Sequence, residues 1–323
     1  MKAILRSVSR SFYLTIRWLP RALREPVGFA YLLARATDTI ADTAEIPVNI
    51  RLTTLEMLAQ VIAGEAKFDA VAGALRDFAA QQSDRTERTL IENVGNCINH
   101  LAATAPADRD DIRAVLQTIV KGQELDLRRF GDPATEVVLE SAEELDEYTY
   151  LVAGSVGAFW TRLGFRHDPP FADRSPNEME TLGIAYGKGL QLINVLRDRG
   201  PDLRAGRGYL PANELAKAPA ADVFARWLGK AETQLGAGID YCSALTNWRL
   251  RFATALPALI GASTIALLRV AGIEAQSRKI KISRQQVRRI LAAGLLASAS
   301  PVALRALFQR LLESPNETAT VSS

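Results

Sequence analysis

Two cysteines (Cys97, Cys242) and two histidines (His100, His167) are all that a chain of 323 residues holds of either type. So small a set excludes a disulfide-stapled scaffold, a zinc finger or a Cys/His ligand cluster, and it fits a reducing compartment. Any metal chemistry must therefore rest on carboxylates, which favour hard cations such as Mg²⁺. An excess of one charge is also missing. The chain has 39 Lys and Arg against 36 Asp and Glu, net +3, too even for a nucleic-acid binder that works by bulk field. At 48% apolar and 23% charged, with 21 Gly and 14 Pro, it is neither low-complexity nor disordered as a whole. Charge is uneven only locally: residues 249–289 hold nine Lys and Arg and the single acid Glu274, whereas 124–147 hold nine acids and two Arg.

Strand-like alternation is scarce, and apolar residues recur at helical spacing. The pattern predicts helices at about 21–44, 50–63, 68–80, 86–103, 108–129, 141–164, 177–199, 219–245, 255–272, 284–297 and 301–313, with breaks at Pro, Gly and Asx positions such as Ile46-Pro47 and Gly131-Asp132-Pro133. With no linker of distinct composition and no fixed-period repeat, the expectation is one all-α domain over 1–313 and a polar tail, 314–323. Residues 1–24 carry six basic side chains and no acid, as an organellar transit peptide does, but lack the apolar stretch of a secretory signal. Phe252–Leu268 is uncharged over 17 residues. It is short for a membrane span and contains Pro257, so a buried helix lining an apolar cavity is the expectation.

Asp38 and Asp42 lie four apart in FAYLLARATDTIADT, and Tyr31, Arg35, Asp38 and Asp42 step by 4, 3 and 4 along one helix face. Gln191, Asn194, Asp198 and Asp202 make a second stripe, stepping by 3, 4 and 4. Acid pairs at that spacing are common, since 36 acids in 323 residues give about four by chance. These two pairs differ in their setting. Phe29, Leu32, Leu33 and Ile40 surround one, and Leu190, Leu192, Ile193, Val195 and Leu196 the other. Carboxylates on apolar helices need a partner or a metal. Two acidic stripes that bind Mg²⁺ and hold phosphate oxygens are one reading, and a pair of salt-bridged helices is the other.

Ser9-Arg10-Ser11-Phe12 and then Tyr31, Arg35 and Asp38-Thr-Ile-Ala-Asp42 resemble the opening of the squalene and phytoene synthases. So do Tyr148-Thr-Tyr-Leu-Val-Ala-Gly-Ser-Val-Gly157, Gln191-Leu-Ile-Asn194-Val-Leu-Arg-Asp198-Arg-Gly-Pro-Asp202 and Gly206-Arg-Gly-Tyr-Leu-Pro211, in the same order. At the N-terminus this resemblance outweighs the transit-peptide reading.

The resemblance implies a single all-α helical bundle of the isoprenoid synthase type, with a central cavity, that joins two diphosphates head to head. It implies that Asp38, Asp42, Asp198 and Asp202 bind Mg²⁺ and act in catalysis, so that a polyanionic leaving group can depart. Ser9, Arg10, Ser11, Phe12, Tyr31, Arg35, Val152, Gln191, Asn194, Arg197, Arg207 and Tyr209 are then the substrate-binding set, and Tyr148 accepts or shuttles the proton. Ser9 and Ser11 have a second reading as helix caps, Gly154 and Gly157 as packing contacts and Tyr148 as a core tyrosine, while His100 and His167 read as surface or loop residues rather than ligands. Two positions depart from the family pattern. Ala41 stands where Glu is common, and Pro201 stands before Asp202, where it is expected to kink or end the helix.

Squalene formation needs NADPH, whereas phytoene formation ends in proton loss. Phe252 matches an aromatic of the squalene branch, and Lys279, Lys281 and Arg284 could meet NADPH phosphates, or equally a membrane face. The expectation is a squalene synthase that uses two farnesyl diphosphates, Mg²⁺ and NADPH, cytoplasmic and touching membranes at its periphery. Phytoene or dehydrosqualene synthesis is the enzymatic alternative, and a non-catalytic lipid-binding or assembly relative the other class.

Overall fold

Helices form nearly wherever the apolar periodicity predicts them, and α-helix dominates the computed structural model, which describes residues 2–9, 16–131, 137–277 and 280–313. The chain divides into two compact units, Met1–Asp132 with Arg166–Asp168, and Pro133–Phe165 with Pro169–Ser323.

The first unit contains α1 (Lys2–Ser9), α2 (Arg21–Asp42), α3 (Val48–Ala63), α4 (Asp69–Gln81), α5 (Arg85–Glu92), α6 (Val94–Ala103) and α7 (Pro106–Phe130). Its centre is α2, which packs on α3, α5, α6 and α7 and buries Leu32, Leu33, Ala36 and Ile40. The single helix expected over 86–103 is two. Asn93 separates them, its side-chain amide donating to the Thr89 carbonyl at 2.8 Å in competition with helical backbone bonds. Buried Asp108, near the start of α7, accepts from Arg166 at 2.7 Å and from His167 Nε2 at 2.8 Å, so His167 serves a salt-bridge cluster.

The second unit contains β1 (Val137–Val138), α8 (Ala142–Thr149), a π-helical turn at Tyr150–Gly154, α9 (Ser155–His167, whose last two residues count with the first unit), α10 (Pro176–Arg204), β2 (Arg207–Gly208), α11 (Ala212–Leu215), α12 (Ala220–Ala244), α13 (Trp248–Ala271), a 3₁₀ turn at Gly272–Ser277, α14 (Arg284–Ala297) and α15 (Pro301–Glu313). Ser175 and Glu178 form a capping box ahead of α10, with Pro176 in its first turn. Glycines bring α9 and α10 close. A Cβ on Gly157 would stand 1.9 Å from the Gly183 carbonyl oxygen, and one on Gly187 2.2 Å from that of Ala153. The uncharged run lies in α13, which is long and apolar enough to cross a membrane but buries Leu250 through Ala266 almost continuously against α10, α12, α14 and α15. It is a core helix of this unit, which bears out the expected burial. Departures from the sequence reading also include the helices at Lys2–Ser9 and Ala212–Leu215, which it did not predict. Residues 137–138 and 207–208 pair as a short parallel sheet, and α10 continues past Pro201 to Arg204.

Candidate active site

On α2 the stripe Tyr31, Arg35, Asp38 and Asp42 is the accessible edge of a helix whose other faces are buried. The two carboxylates lie near the helix C-terminus, where the macrodipole is unfavourable to anions, and the last turn carries no basic residue. Arg35 Nη1 donates to Asp38 Oδ2 at 2.5 Å, while its Nη2 donates to Glu87 Oε1 at 2.6 Å. Glu87 comes from α5, is only 17% exposed, and takes a further bond from Thr39 Oγ1 at 2.5 Å on its other oxygen. Tyr31 donates to the Val8 carbonyl of α1 at 3.4 Å. Asp38 keeps 40% of its side-chain surface accessible, yet its pKa rises to about 7. Lost hydration contributes most and the charge of Asp42 next, with Arg35 opposing both. A second like charge four residues away thus makes full ionisation costly until a cation arrives.

On α10 the stripe Gln191, Asn194, Asp198 and Asp202 is likewise partly accessible, between buried Leu192, Ile193, Val195 and Leu196. Arg197 Nε donates to Asp198 Oδ1 at 2.9 Å, and Nη2 to the other oxygen. Asp202 pairs with Arg207 at 3.0 Å. The expected helix end at Pro201 is corrected. Pro201 forfeits one helical bond, to the Arg197 carbonyl, without ending the helix, and beyond it the Ala205 N–H donates to the carbonyls of Pro201 and Asp202 and the Gly206 N–H to that of Leu203. Gly206 then takes φ +76°, the left-handed turn that reverses the chain into β2 and brings Arg207 back to Asp202.

Tyr148, in the last turn of α8, stacks on Tyr209 with centroids 5.0 Å apart, and its hydroxyl accepts from Gln191 Nε2 at 3.5 Å. Asn194 Nδ2 reaches Gln191 Oε1 at 3.4 Å. The π-helical turn holding Val152 follows Tyr148 directly, a local widening often found at functional sites. Nearby, Lys188 donates to Asp146 at 2.5 Å and Lys230 does so at 3.1 Å, tying α8 and α12 to α10. Burial opposes ionisation of Asp146, but the two lysines outweigh it and hold the carboxyl below its usual range.

Ser9 ends α1; its side chain, together with Arg10, Ser11, Phe12 and Lys279, lies outside the described residues. Phe252 is buried and its ring lies against Gly294 of α14, so its described contact is within the core. Lys281 and Arg284 are exposed. The sequence reading missed Glu87, whose place three residues after the N-cap Asp84 looks like ordinary helix capping. It also missed the Asp146–Lys188–Lys230 cluster, for which a lysine inside an apolar helix was the available signal.

Among the described residues no three Asp, Glu, His or Cys side chains gather closely enough to hold a metal by themselves. Mg²⁺ takes one or two protein carboxylates and completes its shell with water and substrate phosphate oxygens, so a site for it does not require three. The donor sets fit: each stripe offers two carboxylates, and the first also holds a buried Arg35 Nε with no hydrogen-bond partner among the described residues. The exposed cations Lys281 and Arg284 fit a nucleotide phosphate by charge alone.

The family model for squalene/phytoene synthase matches residues 5–286. The chain is 30% identical to a 15-cis-phytoene synthase of Synechocystis over 213 residues, 65% of this chain and 54% of that protein. It is 25% identical to a squalene synthase of Nicotiana benthamiana, over 62% of this chain and 43% of the relative. The chain thus spans about half the length of these curated relatives. A solved complex of TcSQS with a ligand has the same fold, with TM-score 0.74 at 23% identity, covering 99% of this chain and 92% of the other.

Proposed function

This chain belongs to the squalene/phytoene synthase family, and on that premise we propose that it is a squalene synthase, which joins two farnesyl diphosphates head to head through presqualene diphosphate and reduces that intermediate to squalene. The observation that carries the reading is the pair of carboxylate stripes, each partly accessible beside buried apolar residues of its helix and each flanked by arginines that bind oxyanions well.

Mg²⁺, when bound, neutralises the diphosphate as it leaves, so that an allylic cation can form. Asp38 and Asp42 would hold it on the first stripe, and Asp198 and Asp202 would do so on the second. Arg35, Arg197 and Arg207, now engaged with those same carboxylates, would exchange them for phosphate oxygens as metal arrives. Tyr148 stacks on the Tyr209 ring and meets the Gln191 amide, and its hydroxyl would take or pass the proton lost on cyclopropane closure. Val152 and the apolar residues beside it would exclude water from the cations. NADPH supplies a hydride when bound; Lys281 and Arg284 would hold its phosphates, and Phe252 supports the helix that begins at Arg284.

A second reading, phytoene or dehydrosqualene synthesis without reduction, is favoured by the 30% identity to a phytoene synthase. The test is incubation of purified protein with farnesyl or geranylgeranyl diphosphate and Mg²⁺, with and without NADPH, and analysis of the extracted products. Squalene formed only with NADPH supports the first reading, and Arg284→Ala should then raise the KM for NADPH. Phytoene or dehydrosqualene made regardless of NADPH moves the protein to the second. No product from either substrate refutes both and favours the non-catalytic class.

We also propose peripheral membrane contact at one end of the second unit. Leu296 and Val302, 78% and 74% exposed, flank the turn between α14 and α15, and buried Arg251 joins that turn to the start of α13, beside exposed Trp248, by donating to the Ser298 carbonyl at 3.0 Å. From Lys281 to Leu312 there are six basic residues and no acid, a charge pattern suited to anionic lipid.

A further inference from the structure

We infer that Glu87 is a positioning residue that keeps Arg35 from occupying the metal-binding carboxylates, and so sets the divalent-cation affinity of the α2 stripe. The inference rests on the proposed function, because it presumes that Asp38 and Asp42 take a metal.

The geometry is a relay within one unit. Glu87 Oε1 accepts from Arg35 Nη2 at 2.6 Å, Glu87 Oε2 accepts from the Thr39 hydroxyl at 2.5 Å, and Arg35 Nη1 donates to Asp38 Oδ2 at 2.5 Å. Both Glu87 oxygens are therefore committed, and the backbone at its own position is fixed by Asp84, whose carboxylate accepts from the Glu87 N–H at 3.1 Å. Largely buried and held from two sides, Glu87 cannot swing to follow Arg35. One guanidinium edge is anchored and the other is shared.

Charge makes the arrangement consequential. With all three carboxyls ionised, as they are once a cation is bound, Asp38, Asp42 and Glu87 together with Arg35 carry a net charge of −2, the complement of one divalent cation. Without Glu87 the net charge falls to −1, and Arg35 loses its second carboxylate. A guanidinium with one carboxylate left in reach pairs with it bidentately, because two parallel N–H···O bonds are its strongest geometry. Arg35 would then close on Asp38 and compete with the metal for both oxygens. With Glu87 in place, arrival of a cation at Asp38 frees only Nη1, which stays oriented to donate to a diphosphate oxygen. Glu87 thus acts through Arg35 and touches neither metal nor substrate.

The experiment measures Mn²⁺ binding in the presence of inorganic pyrophosphate, by electron paramagnetic resonance of free Mn²⁺, on the full chain. The variants are Glu87→Gln, Glu87→Asp, Arg35→Gln, the double variant Glu87→Gln/Arg35→Gln, and Asp38→Asn, each checked for a native melting transition. Glu87→Gln is expected to weaken Mn²⁺ binding by about 10–100-fold, the usual cost of losing a group that orients a metal ligand. Glu87→Asp, which keeps the charge, should restore part of that loss. In the Arg35→Gln background the Glu87 substitution should have little further effect, since no guanidinium remains to restrain. A Glu87→Gln protein that binds Mn²⁺ like the wild type, while Asp38→Asn does not, overturns this inference alone, as does an undiminished Glu87 effect in the Arg35→Gln background. If Asp38→Asn binds Mn²⁺ like the wild type, the proposed metal site itself is wrong. Should Glu87→Gln fail to melt as a folded protein, the comparison rests on Glu87→Asp in the two Arg35 backgrounds, where an equal effect in both overturns the inference.

Discussion

Gly157→Ala adds a single methyl group and tests how tightly α9 is pressed on α10. That methyl would lie 1.9 Å from the Gly183 carbonyl oxygen, 2.3 Å from its carbon and 2.9 Å from the Ile184 nitrogen, all of them backbone atoms. Since a close C···O contact is about 3.4 Å, the helices must part locally by roughly 1.5 Å. α10 has little room to retreat, because Gly189 on the same helix already packs against Gln234 and Leu235 of α12, where a Cβ would meet atoms at 2.9 and 3.0 Å. Parting the helices also loosens the Ala153–Gly187 approach, and a gap of even 0.5–1 Å forfeits about a quarter to a half of each dispersion contact. Overpacking of this kind costs about 3–5 kcal/mol at the severe end. The better helix propensity of Ala returns about 1 kcal/mol, for a net loss of about 2–4 kcal/mol. Gly229→Ala in α12 is the control, since no atom lies within 4 Å of its Cβ, and it should stabilise by about 0.5–1 kcal/mol. The assay is urea unfolding of wild type and both variants followed by tryptophan fluorescence. If Gly157→Ala is as stable as the wild type, the close approach of α9 and α10 described here is wrong. Because the π-helical turn between Tyr148 and Gly157 rides on this contact, the variant should also lose kcat at temperatures where it remains folded.

Asp38→Asn should lower Mg²⁺-dependent turnover at least a hundredfold, by removing a ligand that stabilises charge in the transition state, and a loss below tenfold would argue against that role. The same variant carries a stability signature. The folded protein holds the Asp38 pKa near 7, above its unfolded value, so the wild type binds more protons when folded; this contribution is full below the unfolded pKa and is lost as pH rises towards 7. In metal-free urea titrations, wild type relative to Asp38→Asn should therefore be more stable at pH 5 than at pH 8, and an unchanged difference contradicts the raised pKa. For the membrane contact, a Leu296→Asp/Val302→Asp variant should sediment less than wild type with vesicles containing anionic lipid. Equal sedimentation of the two proteins would remove that surface from consideration.

The helical fold was legible because long apolar runs at period 3.6 are a strong local signal, and because α13 could be read as core from an uncharged run too short and too proline-marked for a span. What the periodicity missed is small in sequence and set by tertiary contact. The Asn93 break, the π-helical turn at Tyr150–Gly154 and the two-residue strands each depend on one side chain or on a neighbour distant in the chain. Pro201 shows the limit of a local rule: proline costs a helix one bond and a steric conflict wherever it stands, and α10 absorbs that cost as α2 does at Pro26 and α13 at Pro257.

The two readings of the acidic stripes, salt-bridged helices or metal ligands, turn out not to exclude one another. Asp38, Asp198 and Asp202 are all paired with arginines on the same helix or in the short strand that follows it. Such pairs at a partly exposed surface stabilise the fold by only about 0–1 kcal/mol, so stability gives little reason to concentrate arginines at these positions. Arginines that neutralise metal ligands in the resting protein, and are released beside a polyanion when metal binds, do account for it. Glu87 is the residue for which this distinction matters most, because it makes the release of Arg35 partial and directed, and its place 52 residues from Arg35 in the chain kept it out of any motif.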